Sequence, residues 1–163
     1  MYDYYRDSLG KGASVITCEK AVLAHHWDLA QAYPEQLRYS ATVGGNSGIL
    51  PALDAYEGEM HEIRAVVNGT LGYLSTELAK GRTKEDVYAE ATERGYAEPG
   101  AHNFEEVIEN ELKDVVYKSV IMANHSGMYD HVVTTEEVKV ANYRDGARCF
   151  VVLDGKTVKA GFL

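Results

Sequence analysis

Asp114 and Lys118 are the residues whose types and spacing most directly suggest chemistry. They lie one helical turn apart, an acid followed by a base. Phe104, Val107, Ile108, Leu112, Val115, Val116 and Val120 recur at helical spacing, so residues 104–124 are expected to form a helix with one buried face. At about 100° per residue, Lys118 projects between Val107 and Phe104, on the edge of that face, with Asp114 beside it. Two readings stay open. A pair of this spacing on an exposed helix face is a surface ion pair worth about 0.3–0.5 kcal/mol. A lysine leaning into an apolar face beside a carboxylate can instead have a shifted pKa and handle a proton.

Two loops could bring a ligand to the backbone. Gly44-Gly45-Asn46-Ser47-Gly48 lies before one short helix, and Asn68-Gly69-Thr70 before another. Glycine allows close approach to the main chain, and a helix N-terminus favours negative groups. Each loop also reads simply as a turn, the first needing glycine and the second using Thr70 as a helix cap. Neither has the six-residue spacing of the dinucleotide fingerprint. His25, His26, His61, His102, His125 and His131 form no metal-protease pattern and no zinc spacing with cysteine, so they read as structural and no metal is expected. Cys18 precedes a helix start and reads either as a reactive thiol or as packing.

These residues need elements to position them. Residues 2–9 read as a helix stopped at Gly10, and residues 13–17 as a short strand. Residues 20–36 read as helix broken at Pro34, and residues 37–43 as a strand from their alternation. A short helix over 49–56, a strand over 60–67 and a helix over 70–80 follow. Thr83 caps the next helix, with Asp86 placed to reach back, and Gly95 ends it. The last quarter reads as a hairpin, with Asp154-Gly155 as its turn. Interleaved strands and helices imply an α+β (α/β layered) fold, a mixed sheet with helices packed on one face.

The 163 residues fit one domain with a real core, and 45% hydrophobic with 25% charged content is ordinary for a globular protein. The net charge of −9 argues against nucleic acid and against an anionic membrane surface as partners. No apolar run approaches the roughly 20 residues of a membrane span. Residues 1–6 lack a signal-peptide layout, and two cysteines make no disulfide scaffold, so a cytoplasmic protein is expected.

Five segments, taken in order, resemble the homoserine dehydrogenase family. Val15-Ile16-Thr17-Cys18-Glu19-Lys20-Ala21 resembles its Val-Val-Thr-Ala-Asn-Lys-Ala stretch, and Ala41-Thr42-Val43-Gly44-Gly45 its Val-Gly-Gly/Ala-Gly loop. Val67-Asn68-Gly69-Thr70-Leu71-Gly72-Tyr73-Leu74 resembles Asn-Gly-Thr-Thr-Asn-Tyr-Ile. Gly95-Tyr96-Ala97-Glu98-Pro99 is similar to Gly-Tyr-Ala-Glu-Pro, and Asp114-Val115-Val116-Tyr117-Lys118 to its Asp-x-x-x-Lys helix. The family's Gly-Ile-Pro after the first two glycines is Asn46-Ser47-Gly48 here, and the segment from Glu98 to Asp114 is longer than usual. These departures point to a divergent, archaeal-type branch.

The resemblance implies NAD(P)-dependent interconversion of L-homoserine and L-aspartate 4-semialdehyde, on the route to threonine and methionine. It implies that Lys118 acts on the substrate hydroxyl proton. Asp114 and Glu98 would hold the hydroxyl and amino ends, while Gly44, Gly45, Asn68, Gly69 and Thr70 line the site. Lys20 would sit near the nicotinamide and the reacting carbon, with Thr17 also toward the cofactor. The family's Gly-rich nucleotide-binding domain is not seen. Residues 1–18 are therefore expected to be a remnant of its last helix and strand, with residues 19–163 the substrate-binding, catalytic and dimerisation domain. A fragment inactive alone, assembling as a homodimer, is the leading expectation. Two alternatives stand beside it: a non-enzymatic dimerising or binding module, and a nicotinamide-independent enzyme reusing the pocket.

Overall fold

A computed structural model describes residues 1–97 and 100–163. Helix α1 (Tyr2–Gly10) leads into strand β1 (Val15–Ile16). Helices α2 (Lys20–His25) and α3 (Asp28–Ala32) precede strand β2 (Leu37–Arg38), which pairs in parallel with β1. Two 3-10 turns, Ser40–Thr42 and Gly45–Ser47, lead into α4 (Ile49–Asp54). Strand β3 (Ile63–Ala65) is followed by α5 (Gly69–Ala79), α6 (Lys84–Glu93) and the long α7 (Phe104–Ser126). A third 3-10 turn, Thr135–Glu137, and strands β4 (Val138–Ala141), β5 (Cys149–Leu153) and β6 (Val158–Phe162) complete the described elements.

The larger sheet runs β3-β5-β6-β4. β5 is antiparallel to both β3 and β6, whereas β4 is parallel to β6, so the sheet is mixed. Helix α7 packs across β4, β5 and β6, and α2, α5 and α6 pack against α7. Its apolar stripe continues through Ile121, Met122 and Ala123, all fully buried, and meets Val151, Leu153, Ala160 and Phe162 of the sheet. Asn103 caps α7 by accepting from the Glu106 N–H at 2.8 Å, and left-handed Gly127 ends it. This is the α+β layering expected from the pattern of elements.

Four local expectations are corrected. The helix over 20–36 breaks at His26, whose φ of −138° and ψ of 60° lie outside the helical range and end α2, well before Pro34. The strand over 37–43 stops at Arg38, because the Thr42 hydroxyl donates to the Tyr39 carbonyl at 2.7 Å and closes a turn. The cap of α5 is Asn68 and not Thr70, whose hydroxyl donates to the Tyr96 carbonyl at 2.8 Å. Thr83 does cap α6, but Asp86 takes part through its backbone N–H. Strand β4 has no counterpart in the sequence reading. Its fit against β6 depends on Gly161, where φ is 111° and a Cβ would collide with the Ala141 carbonyl oxygen.

Candidate active site

The site is assembled where the start of α5 meets the middle of α7. Asn68 sits just outside α5 in extended conformation, and its Oδ1 accepts from the Leu71 N–H at 2.8 Å. Capping fixes which end of the amide faces outward. Its Nδ2 therefore points at α7, donating to Glu111 Oε2 at 2.6 Å and Asp114 Oδ2 at 3.1 Å. Glu111, Asp114 and Lys118 fall on one stripe of α7, spaced three and four residues apart.

Lys118 is held from two sides. Its Nζ lies 2.6 Å from Asp114 Oδ2 and donates to the Val67 carbonyl at 2.7 Å. Lys20 arrives from the first residue of α2, a helix started by Glu19 accepting from the Ala21 N–H. Its Nζ lies 3.5 Å from Asp114 Oδ1. Asp114 thus collects two ammonium groups and one amide. Taking these charges partly out of water is costly unless each is paired and hydrogen-bonded, and here the partners are supplied.

These groups border a cleft of about 570 Å³, lined by Lys20, Asn68, Gly69, Thr70, Tyr73, Tyr96, Glu111, Asp114 and Lys118. Gly69 and Thr70, whose first-turn N–H groups no intrahelical carbonyl can take, form part of the wall. Tyr73 and Tyr96 meet edge to face with centroids 5.1 Å apart. Burial, together with the Glu90 carboxylate nearby, raises the Tyr73 pKa, so the phenol stays a neutral donor rather than a base.

Of the residues singled out from sequence, the structure brings Lys20, Asn68, Gly69, Thr70, Asp114 and Lys118 to one cleft. Gly44 and Gly45 are not among its lining residues. They turn left-handed, with φ of 72° and 53°, and a Cβ on Gly44 would collide with Ser47 and Ile49. Thr17 is buried away from the cleft lining. Its hydroxyl lies 2.7 Å from the Tyr5 hydroxyl and accepts from the Glu19 N–H at 2.9 Å, tying α1 to the start of α2. Glu98 lies outside the described residues. Glu111 was not singled out, although an acid at an apolar-stripe position between Ile108 and Leu112 was the available signal.

His125 bridges segments, with Nδ1 3.0 Å from the Tyr39 hydroxyl and Nε2 2.9 Å from Asp54 Oδ1. Cys18 and Cys149 are free. Among the described residues, no three His, Cys, Asp or Glu side chains cluster as metal ligands.

Comparison with known proteins gives a consistent result. A family model described as homoserine dehydrogenase matches residues 50–148. The homoserine dehydrogenase of Sulfurisphaera tokodaii is 28% identical over 143 residues, 83% of this chain and 44% of that protein. The crystal structure of a homoserine dehydrogenase from Archaeoglobus fulgidus, described as putative, superposes with a TM-score of 0.81 at 25% identity, covering 98% of this chain and 54% of that one. A mutant hyperthermophilic archaeal homoserine dehydrogenase, solved in complex with NADPH, superposes with a TM-score of 0.76 at 25% identity over 99% and 52% of the two chains. The chain thus spans about half the length of these relatives. With the family model matching well over half of its residues, the chain belongs to the homoserine dehydrogenase family.

Proposed function

We propose that this chain carries the substrate-binding and catalytic part of a homoserine dehydrogenase, interconverting L-homoserine and L-aspartate 4-semialdehyde with NAD(P). The observation that carries this reading is Lys118, fixed between the Asp114 carboxylate and the Val67 carbonyl in a cleft wall. Converting a primary alcohol to an aldehyde removes a hydride from carbon and a proton from oxygen. The nicotinamide, when bound, takes the hydride. Lys118 handles the proton, its ammonium donating to the substrate oxygen in the reducing direction and its amine accepting in the oxidising one. Asp114 orients Lys118 and Lys20 together. The Gly69 and Thr70 N–H groups suit the substrate carboxylate at the start of α5.

The cleft fits only one end of the cofactor. Asp114 and Glu111 would repel a pyrophosphate, whereas Lys20, a third exposed, is available to the nicotinamide end. Thr17 is a poor cofactor contact because Tyr5 and Glu19 occupy its hydroxyl. Free Cys18 and Cys149 are in keeping with a reducing cytoplasmic setting. Assembly as a homodimer and a place on the route to threonine and methionine rest on the family. Among the described residues, no helix is long and apolar enough to cross a membrane.

The test is homoserine-dependent reduction of NADP by the protein carrying this chain, before and after Lys118→Ala. The expected loss is at least ~100-fold in turnover. Near-normal turnover in the variant would remove Lys118 from the reaction, and no turnover in the parent protein would remove the reaction itself.

A further inference from the structure

We infer that Glu90, which lies behind the cleft rather than in it, is a positioning residue: it fixes the wall made by Tyr73 and Tyr96 and thereby sets the affinity for substrate. The inference rests on the function proposed above and concerns one wall of that same cleft.

Charges converge on this wall from outside. Arg82, just after α5, donates through Nη1 to Glu77 Oε2 at 3.1 Å and also to Glu90 Oε2. Glu90, on α6, holds the Arg94 guanidinium on its other oxygen, Oε1, at 2.5 Å. Each carboxylate oxygen of Glu90 thus takes one arginine, one from before α6 and one from its end. Glu90, Arg82 and Arg94 are not among the described lining residues of the cleft. A lone i,i+4 pair on an open helix face is worth little. Glu90 differs, because its side chain is only 22% exposed and it is shared with a second arginine. It ties the end of α5 to both ends of α6.

Both tyrosines end against this cluster. The Tyr73 hydroxyl is shut off from water beside Glu90 and Arg82, without a well-directed hydrogen bond to either. Its place therefore depends on where those two groups stand. Arg94 reaches the Tyr96 phenol, and that contact, ahead of Glu90, raises the guanidinium pKa. The two rings meet edge to face with centroids 5.1 Å apart, so a shift of one is passed to the other. The Tyr96 backbone is anchored separately: its N–H donates to the Ala91 carbonyl at 2.8 Å, and its carbonyl accepts from the Thr70 hydroxyl at 2.8 Å. What Glu90 adds is the placement of the rings. Lys118 and Asp114 are held instead by Val67, Asn68 and Lys20. A change at Glu90 thus loosens the wall and leaves the proton-handling pair in place, which weakens substrate and transition state alike.

The test is the split between KM and kcat for L-homoserine in the protein that carries this chain. Glu90→Gln keeps the shape but removes the charge. It should raise KM about 5- to 10-fold, the order of one lost aromatic contact, with kcat within about twofold of the parent. Arg94→Gln, at a side chain 54% exposed, should raise KM in the same direction by about threefold. Glu77→Gln takes a different partner from Arg82 and leaves Glu90 on both arginines, so KM should stay within about twofold. Melting temperatures are measured on all three, because a merely structural Glu90 would lower stability without moving KM. Should Glu90→Gln fail to fold, Arg94→Gln decides alone. An unchanged KM, a loss confined to kcat, or an equal rise of KM in Glu77→Gln would overturn the positioning role and leave the proposed reaction standing. A parent protein without homoserine-dependent turnover would overturn the reaction and this role with it.

Discussion

Helix α7 carries two ion pairs of the same spacing and the same order, an acid four residues before a lysine. Glu109–Lys113 closes at 3.0 Å with side chains 71% and 62% exposed. Asp114–Lys118 closes at 2.6 Å with side chains 20% and 14% exposed. Spacing and order alone treat them alike. The difference comes from what stands opposite: solvent for the first pair, and the Val67 carbonyl, Asn68 and Lys20 for the second. Electrostatic pairs gain function when other elements restrict their access to water, and the helix that bears them does not decide this alone.

The sharpest way to break the comparison is kinetic. Lys118→Ala should cost at least ~100-fold in homoserine-dependent turnover. Lys113→Ala, on the same helix and five residues earlier, should leave turnover within about twofold, as expected for an exposed pair. A similar loss in both variants would mean that α7 is sensitive everywhere and that Lys118 has no special part. Equilibrium unfolding gives the next largest effect. Lys118→Met should cost about 1–3 kcal/mol, because the Val67 carbonyl loses its lysine donor and Asp114 Oδ2 is left with the Asn68 amide. Asn68→Ala should cost about 1–2 kcal/mol for the lost cap, and more if its bonds to both carboxylates count. A cost below ~0.5 kcal/mol for Lys118→Met would place the buried pair with the surface one.

Salt should sharpen the contrast further. At 1 M salt the screening length is about 3 Å. A double-mutant cycle on Glu109–Lys113 should then lose its coupling, while the cycle on Asp114–Lys118 retains most of its own. Equal salt sensitivity would contradict the difference in burial. The smallest effect is expected at His131, an exposed imidazole between Asp130 at 2.9 Å and Glu137 at 2.8 Å. Its pKa is raised, first by the hydrogen bond to Asp130 and then by that to Glu137. A raised folded-state pKa stabilises fully below the ordinary histidine value and fades as pH rises through the folded one. His131→Gln should therefore differ slightly from the parent in melting temperature at pH 5 and converge with it at pH 9, and a gap that widens with pH would reverse the assignment.

Several features were legible in the sequence because they depend on near neighbours. The stripe of α7 placed Lys118 at the edge of a buried face, and Asp154-Gly155 marked the β5–β6 turn. The family motifs brought in Lys20, which no local pattern could have joined to Asp114 across the fold. Features set by distant partners were not legible. Strand β4 exists because β6 offers an edge and Gly161 lets it approach. Asn68 outcompeted Thr70 as a cap once the Tyr96 carbonyl took the threonine hydroxyl. Glu111 was visible as an acid in an apolar stripe, but its meaning came only with the Asn68 amide.

The double tether on Lys118 also bears on when disorder is removed. A free lysine side chain carries rotamer freedom worth about 1.5–2 kcal/mol. Here the Val67 carbonyl and Asp114 have already selected one arrangement in the folded chain. That entropy is lost once, on folding, and is not lost again each time a ligand enters the cleft.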